Sequence, residues 1–331
     1  MLEEQLKDNT ESPFNNEAFW ERVNKKPTFS FFSQFAILIG LIGTGVIIGS
    51  LITIFMMTSL THTSLMNIEK AMLDPKNANI TKTVQIVGTF FMFFFPVFMY
   101  AVIVSNKPFK HIGFNKNISW KQIGIVTIIA VAGLFLSGAL AELNTMIPLS
   151  KKLATTFKKW EDAYSDQVVA MMQIKGFADY LFSLLTIAIV PAIIEEALFR
   201  GGLQQLLVKW SKSPWTGIII TSIIFSAIHI SFYGFLSRFM LGMVLGLIFQ
   251  YTQNLWLNIL MHFINNGISV TALYFYSMKG KLTKESMNDD NYPLWVGLIA
   301  LIVIIGLFKL LIKESNTVIH KANLKTLPIT E

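Results

Sequence analysis

Long apolar runs separated by short polar connections dominate the chain. A helix needs about 20 mostly apolar residues to cross the hydrocarbon core of a bilayer. No Lys, Arg, Asp or Glu occurs between Lys26 and Glu69, and residues 35–58 read as a first span. The pattern predicts further spans at 84–104, dense in Phe, and at 123–140. A fourth begins near Leu181 and passes through Pro191 into Glu195. The last four cover 215–232, 235–249, 255–276 and 294–311, of which the first two are short. Residues 151–175 mix Lys, Glu and Asp with Leu, Phe, Trp and Met, the composition of an amphipathic helix at a membrane surface. Gly45 with Gly49, and Gly242 with Gly246, have the spacing that lets membrane helices pack closely. The expected fold is an all-α polytopic membrane protein, about eight transmembrane helices in one bundle with a polar site inside it.

Composition supports that reading. Hydrophobic residues make up 53% and charged residues 14% of the 331 residues, against about 25% charged in soluble domains. Length alone would suggest two soluble domains; the apolar runs replace that expectation. With no cysteine, disulfides, thiolate zinc sites and cysteine nucleophiles are excluded. The net charge of +7 is accounted for by lysines at the membrane ends, and no basic face with aromatic support points to nucleic acid. A polar stretch longer than a usual signal-peptide n-region precedes the first apolar run, so no cleavable signal is expected, and no lipidation motif closes the sequence.

The Lys and Arg bias sets the expected orientation. Arg22, Lys25 and Lys26, then Lys107, Lys110, Lys116 and Lys121, then Lys209 and Lys212, then Lys309 and Lys313 all fall on one side. The opposite connections mix lysines with Glu69, Asp74, Glu161, Asp162, Asp289 and Asp290. Both termini are therefore expected in the cytoplasm, with the chain in the cell membrane. Richness in Lys, Ile, Asn and Phe fits a bacterial source.

Ionisable residues inside a bilayer are costly, which makes each one a candidate for function. The first cluster is Pro191-Ala-Ile-Ile-Glu195-Glu196-Ala-Leu-Phe-Arg200. Residues four apart share a helix face, so Glu196 and Arg200 are expected to pair, leaving Glu195 without that partner. The second is Phe225-Ser-Ala-Ile-His229; the third is His262-Phe-Ile-Asn-Asn266, where His262 and Asn266 share a face and Asn265 points off it. A carboxylate, two imidazoles and an amide suit hydrolysis. A carboxylate and a histidine can deprotonate water, and a histidine and an amide can donate to an oxyanion. There is no G-x-S-x-G elbow and no H-E-x-x-H motif, which disfavours serine and zincin mechanisms.

The ordered set E-E-x-x-x-R, F-x-x-x-H and H-x-x-x-N resembles the CAAX-processing and bacteriocin-processing (CPBP, or Abi) intramembrane proteases. That family includes the type II CAAX prenyl endopeptidases and the lysostaphin-resistance-like proteins. Ser237-Arg238-Phe239, Gly242, Gly246 and Asn254-Leu255-Trp256 resemble it too. The resemblance spans about 100 residues, from roughly Leu181 to Phe275. It implies that Glu195 and His229 activate water, that His262 and Asn266 form the oxyanion hole, and that Glu196 and Arg200 support the site. With the apolar and polar pattern, the chain divides into a polar segment (1–30), N-terminal membrane helices (31–145), an amphipathic segment (146–180), a core that the resemblance implies is catalytic (181–276) and a last span with its tail (277–331). The substrate would be a peptide or a membrane-protein segment. Metal-free glutamate chemistry fills every role, so no obligatory cofactor is expected; the alternative is zinc on Glu195, His229 and His262. Two other classes compete. One is a transporter using the same residues as an ion path, for which internal repeats are missing; the other is a catalytically silent immunity or partner-binding protein.

Overall fold

The computed structural model describes residues 29–284 and 292–324, and among them there is no strand. All but the end of the polar 1–30 segment lies outside the described residues, as do Asp289, Asp290 and the last part of the tail. The helices are α1 (Phe31–Thr61), α2 (Pro75–Val104), α3 (Trp120–Thr145), α4 (Lys151–Met171), α5 (Phe177–Ser211), α6 (Pro214–Ala227), α7 (Phe235–Thr252), α8 (Leu255–Met278) and α9 (Leu294–Leu324). The chain is an all-α, multi-pass membrane protein. Six of these helices (α1, α2, α3, α5, α7 and α9) are long and apolar enough to cross a bilayer. The eight spans expected from the sequence are these six together with α6 and α8. Helix α8 has the length, 24 residues, but Asn258, His262, Asn265 and Asn266 lower its apolarity.

Local chemistry sets the helix starts. Ser30, Ser119, Ser150 and Ser213 each accept a backbone N–H at a helix N-terminus, and Asn254 does the same for α8. At Ser119 the Gln122 side chain reciprocates, completing a capping box. Two helices carry a wider π-helical turn just ahead of a proline. Phe90–Phe94 precedes Pro96 in α2, and Leu184–Ile189 precedes Pro191 in α5. Proline has no N–H and its ring clashes with the carbonyl four residues back, so a widened preceding turn lets the helix continue. A third π turn, Ala197–Gln204, follows Glu196 directly.

Glycines bring the helices together at both predicted pairs. A Cβ on Gly45 or Gly49 would lie 2.7 Å from a backbone oxygen of α2, at Phe91 and Gly88 respectively. Gly242 and Gly246 of α7 leave the same lack of room against α6, where added Cβ atoms would sit 2.9 Å from Ser222 and 2.8 Å from Ile218. Two buried apolar clusters fill the bundle. One gathers Val97, Ala192, Phe199 and Phe225, the other Val126, Ile129, Met261 and Ile304. Helices α7 and α8 contribute to both and so form the partition between them.

The fifth span differs from expectation. The apolar pattern runs to about residue 232, yet α6 stops at Ala227 after 14 residues. Ile228, Ile230 and Phe232 continue the apolar character, but the chain turns back. Ile230 takes φ 49°, a left-handed conformation that is strained for a β-branched residue. Ser226 Oγ donates to Phe235 O at 2.7 Å and Ser231 Oγ accepts from Gly234 N at 3.1 Å, which closes the turn. At 1.5 Å per residue α6 is about 21 Å long, short of the roughly 30 Å hydrocarbon core. Irregular backbone at membrane depth must be covered by protein or line a wet cavity. Helix α4 provides cover. Glu161 Oε2 accepts from Ser231 Oγ at 2.7 Å, Phe157 stacks on Phe232 at 4.4 Å, and Arg238 lies over the Tyr164 ring at 5.4 Å. The amphipathic segment read from the sequence is thus clamped onto the turn between α6 and α7.

Overpacking at the α6–α7 contact tests this arrangement. Gly242→Leu should cost about 1–3 kcal/mol and lower the thermal midpoint in detergent, while Gly40→Ala, with nothing within 4 Å of its added Cβ, should leave it unchanged.

Candidate active site

Glu196 sits at the centre of a buried polar network. Its carboxylate and the Arg200 guanidinium are both fully buried and form an ion pair at 2.9 Å, as the four-residue spacing predicts. His262 Nδ1 donates to the same Glu196 oxygen at 2.8 Å. Asn258 Nδ2 donates to Leu245 O at 2.6 Å and reaches Glu196 Oε2 at 3.4 Å. Arg200 Nη2 donates to Gly242 O at 3.1 Å, and one turn later Gln204 Nε2 donates to Gly246 O at 3.0 Å. Two side chains a turn apart on α5 thereby grip two carbonyls a turn apart on α7. The close approach allowed by Gly242 and Gly246 makes those bonds reachable.

Glu195 takes no part in this network. Its side chain is 22% exposed, yet Oε2 is buried and has no hydrogen-bond partner. The nearest nitrogen of His262, Nε2, lies 3.9 Å away. That is too long for a hydrogen bond. The row Arg200, Glu196, His262, Glu195 therefore alternates in sign whenever the imidazole is protonated.

His229 stands at the end of α6, in the strained turn. Its Nδ1 bonds to Phe225 O at 2.7 Å. Both histidines thus tie up Nδ1 with an acceptor, one a carbonyl and one a carboxylate. In the neutral imidazole this fixes the proton on Nδ1 and leaves Nε2 with a free lone pair. Phe225 packs edge-on to both rings, with centroids 5.1 Å from His229 and 5.9 Å from His262. The same ring faces Arg200, 5.0 Å from its centroid. Asn266 is partly buried, and its carbonyl accepts from Asn265 Nδ2 at 3.3 Å, so its own amide nitrogen remains available as a donor. No hydrogen bond joins Asn266 to Glu195, His229 or His262.

The structure thus gathers Glu195, Glu196, Arg200 and His262 in one row, and the Phe225 ring touches both His262 and His229. It also gives His262 a partner that the sequence reading does not assign. That reading pairs Glu196 with Arg200 alone; a carboxylate has lone pairs enough for the histidine as well. Asn258 goes unremarked in the sequence reading. Its signal is its position four residues before His262, which places Asn258, His262 and Asn266 on one stripe of α8. Asn265, off that stripe, faces Gly133, Ser137 and Ser237 instead.

Among the described residues no three His, Asp or Glu side chains are gathered as a metal-ligand set. An apolar groove of about 350 Å³ lies between α2 and α5, lined by Val87, Phe90, Phe94, Val190, Ile193 and Ile194. The π turns at Phe90–Phe94 and Leu184–Ile189 flank this opening.

Residues 177–268 match the family model of type II CAAX prenyl endopeptidase Rce1-like proteins. The match runs from the first residue of α5 into α8 and includes every residue of the network. Over this stretch the chain is similar to that peptidase family. No curated protein and no solved structure matches it.

Glu195 and Glu196 should separate cleanly by stability. Glu196→Gln leaves Arg200 buried beside a neutral amide and should cost about 3–5 kcal/mol, whereas Glu195→Gln should leave the thermal midpoint within a degree or two. Equal midpoints for the two variants would contradict the network.

Proposed function

We propose that the protein is an intramembrane endopeptidase that hydrolyses peptide bonds with water activated by Glu195 and His229. The observation that carries this reading is the contrast between adjacent carboxylates: Glu196 is fully engaged, while Glu195 has a buried oxygen without a partner, free to hold a water. Glu195 or the Nε2 lone pair of His229 would take the water's proton as the oxygen attacks the scissile carbonyl. The oxyanion would then receive N–H groups from Asn266 and His262. With its Nδ1–H bonded to Glu196, His262 donates from Nε2 only if it enters the step already protonated; the water's proton goes separately to Glu195 or His229 and from there to the departing amine. Collapse of the tetrahedral intermediate expels the amine, which takes up the proton.

Every role in this scheme is filled by the chain's own groups, so we propose a metal-free, glutamate-type reaction. The apolar groove between α2 and α5 supports a lipophilic peptide or a membrane-protein segment as substrate. The name of the matched family supports CAAX-like peptides as the first class to try. We place the enzyme in a cell membrane with both termini in the cytoplasm, on the lysine bias of the connections. A silent immunity protein is less well supported, because it gives no reason to keep Glu195 unpaired beside His262.

Proteolysis of a membrane-anchored reporter by the purified protein tests the mechanism. Glu195→Ala and His229→Ala should each reduce cleavage by about a thousandfold or more, and wild-type cleavage should survive exhaustive chelation. Cleavage unchanged in both variants sinks the assignment, and loss of activity on chelation that added zinc restores sinks the metal-free version.

A further inference from the structure

One side chain of the Glu196 network has no role in the reaction scheme. Asn258 stands one turn before His262 on α8, in a stripe of polar residues spaced four apart: Asn254, Asn258, His262 and Asn266. The stripe begins at a fixed point. Asn254 caps α8 by accepting from Trp256 N at 3.0 Å, and its Nδ2 donates to Asn115 O and Asn117 O at 2.9 and 3.0 Å. Asn258 is fully buried. Its amide nitrogen meets two oxygens, the Leu245 carbonyl of α7 at 2.6 Å and Glu196 Oε2 of α5 at 3.4 Å. A flipped amide would turn Oδ1 against a carbonyl and a carboxylate, so the orientation is decided by chemistry. It leaves Oδ1 buried without a partner. A leucine of similar shape would avoid that cost, so packing alone does not account for the amide.

The bonds to Glu196 are unevenly divided. Arg200 Nη1 and His262 Nδ1 both donate to Oε1, at 2.9 and 2.8 Å. Among the described residues Asn258 alone bonds to Oε2. Bonds to one oxygen let the other swing. A bond to Oε2 fixes the carboxylate plane, and with it the lone pair that Oε1 presents to the imidazole. Because the same amide is tied to Leu245 O, the carboxylate is held against the backbone of a third helix.

We propose that Asn258 is a positioning residue for His262. By pinning Glu196 Oε2 against α7, it keeps a proton on His262 Nδ1 and holds Nε2 on the side of Glu195, 3.9 Å from its Oε2. The effect on the imidazole stands on this geometry alone; the effect on turnover rests on the hydrolase reading above.

Nitrogen NMR of the full-length protein in detergent, isotope-labelled at histidine, reads the imidazole directly. The chain has five histidines, and His262→Gln identifies the His262 signals by their loss. In the wild type Nδ1 should carry a hydrogen that exchanges slowly with water. In Asn258→Leu that hydrogen should exchange about tenfold faster, and part of the neutral ring should take the Nε2–H tautomer, with the His229 signals unchanged. Asn258→Gln, which keeps an amide donor on a longer arm, should recover part of the wild-type signal. On a cleavable reporter Asn258→Leu should lower kcat about tenfold to a hundredfold and leave KM within about twofold, as a misplaced group does and a lost binding contact does not. A purely structural role would lower the thermal midpoint and disturb both histidines alike. Unchanged His262 signals in Asn258→Leu, or equal disturbance of His229 and His262, overturn the proposal. If the leucine variant does not fold, Asn258→Ala carries the same readout, and failure of both to fold assigns the residue to structure and overturns the proposal as well. A wild-type protein that cleaves nothing, yet whose His262 signals respond to Asn258→Leu, keeps the positioning and removes the hydrolase reading. Cleavage with unresponsive His262 signals does the reverse.

Discussion

The carboxylate of Glu196 is the interaction around which the second half of the bundle is arranged. A charge taken out of water into an apolar interior is paid for only by close, well-bonded partners. Glu196 has a guanidinium, an imidazole and an amide around it, contributed by α5 and α8. Arg200 extends the network to α7 through the Gly242 carbonyl. Three helices are thus fixed relative to one another by groups that cannot be left alone at that depth. The bonding also dictates the tautomer of His262, because a carboxylate can only accept. A structural requirement for neutrality and a chemical requirement for an oriented imidazole are met by the same atoms.

The helix turn at His229 shows a different solution to the same constraint. Helix α6 is too short to cross the bilayer, and its end has to be covered. Hydroxyl groups of Ser226 and Ser231 satisfy part of the turn's backbone, and α4 closes over it with Glu161, Phe157 and Tyr164. The histidine thereby stands on irregular backbone held from several sides, rather than in the middle of a regular helix. That gives its ring a direction that a helix face alone would not supply.

Much of this arrangement was legible in the sequence. The apolar runs marked the helices, the Gly-x-x-x-Gly spacings marked two close contacts, and the four-residue interval marked the Glu196–Arg200 pair. The end of α6 was not legible, because Ile228, Ile230 and Phe232 are as apolar as a span requires while Ser226 and Ser231 decide the turn through bonds to distant backbone. The partner of His262 escaped for a related reason: helical spacing ranks neighbours along one helix and says nothing about which facing helix supplies the acceptor. Arg238 was visible as part of a motif, but only the structure shows its packing against Gly234 and the Tyr164 ring. The roles of Glu195, His229, His262 and Asn266 in a reaction rest on the proposal above.

The widened turns of α5 have a consequence for how its residues are counted. Each residue of a regular helix advances by about 100°, so a turn that takes in one extra residue changes the phase of everything after it. Leu184–Ile189 lies upstream of both glutamates and Ala197–Gln204 follows them directly. The stretch that carries Glu195 and Glu196 is therefore an indexed segment, rotated independently of the helix before and after it. Which carboxylate faces Arg200 is set by the number of residues in those turns as much as by the identity of the residues themselves.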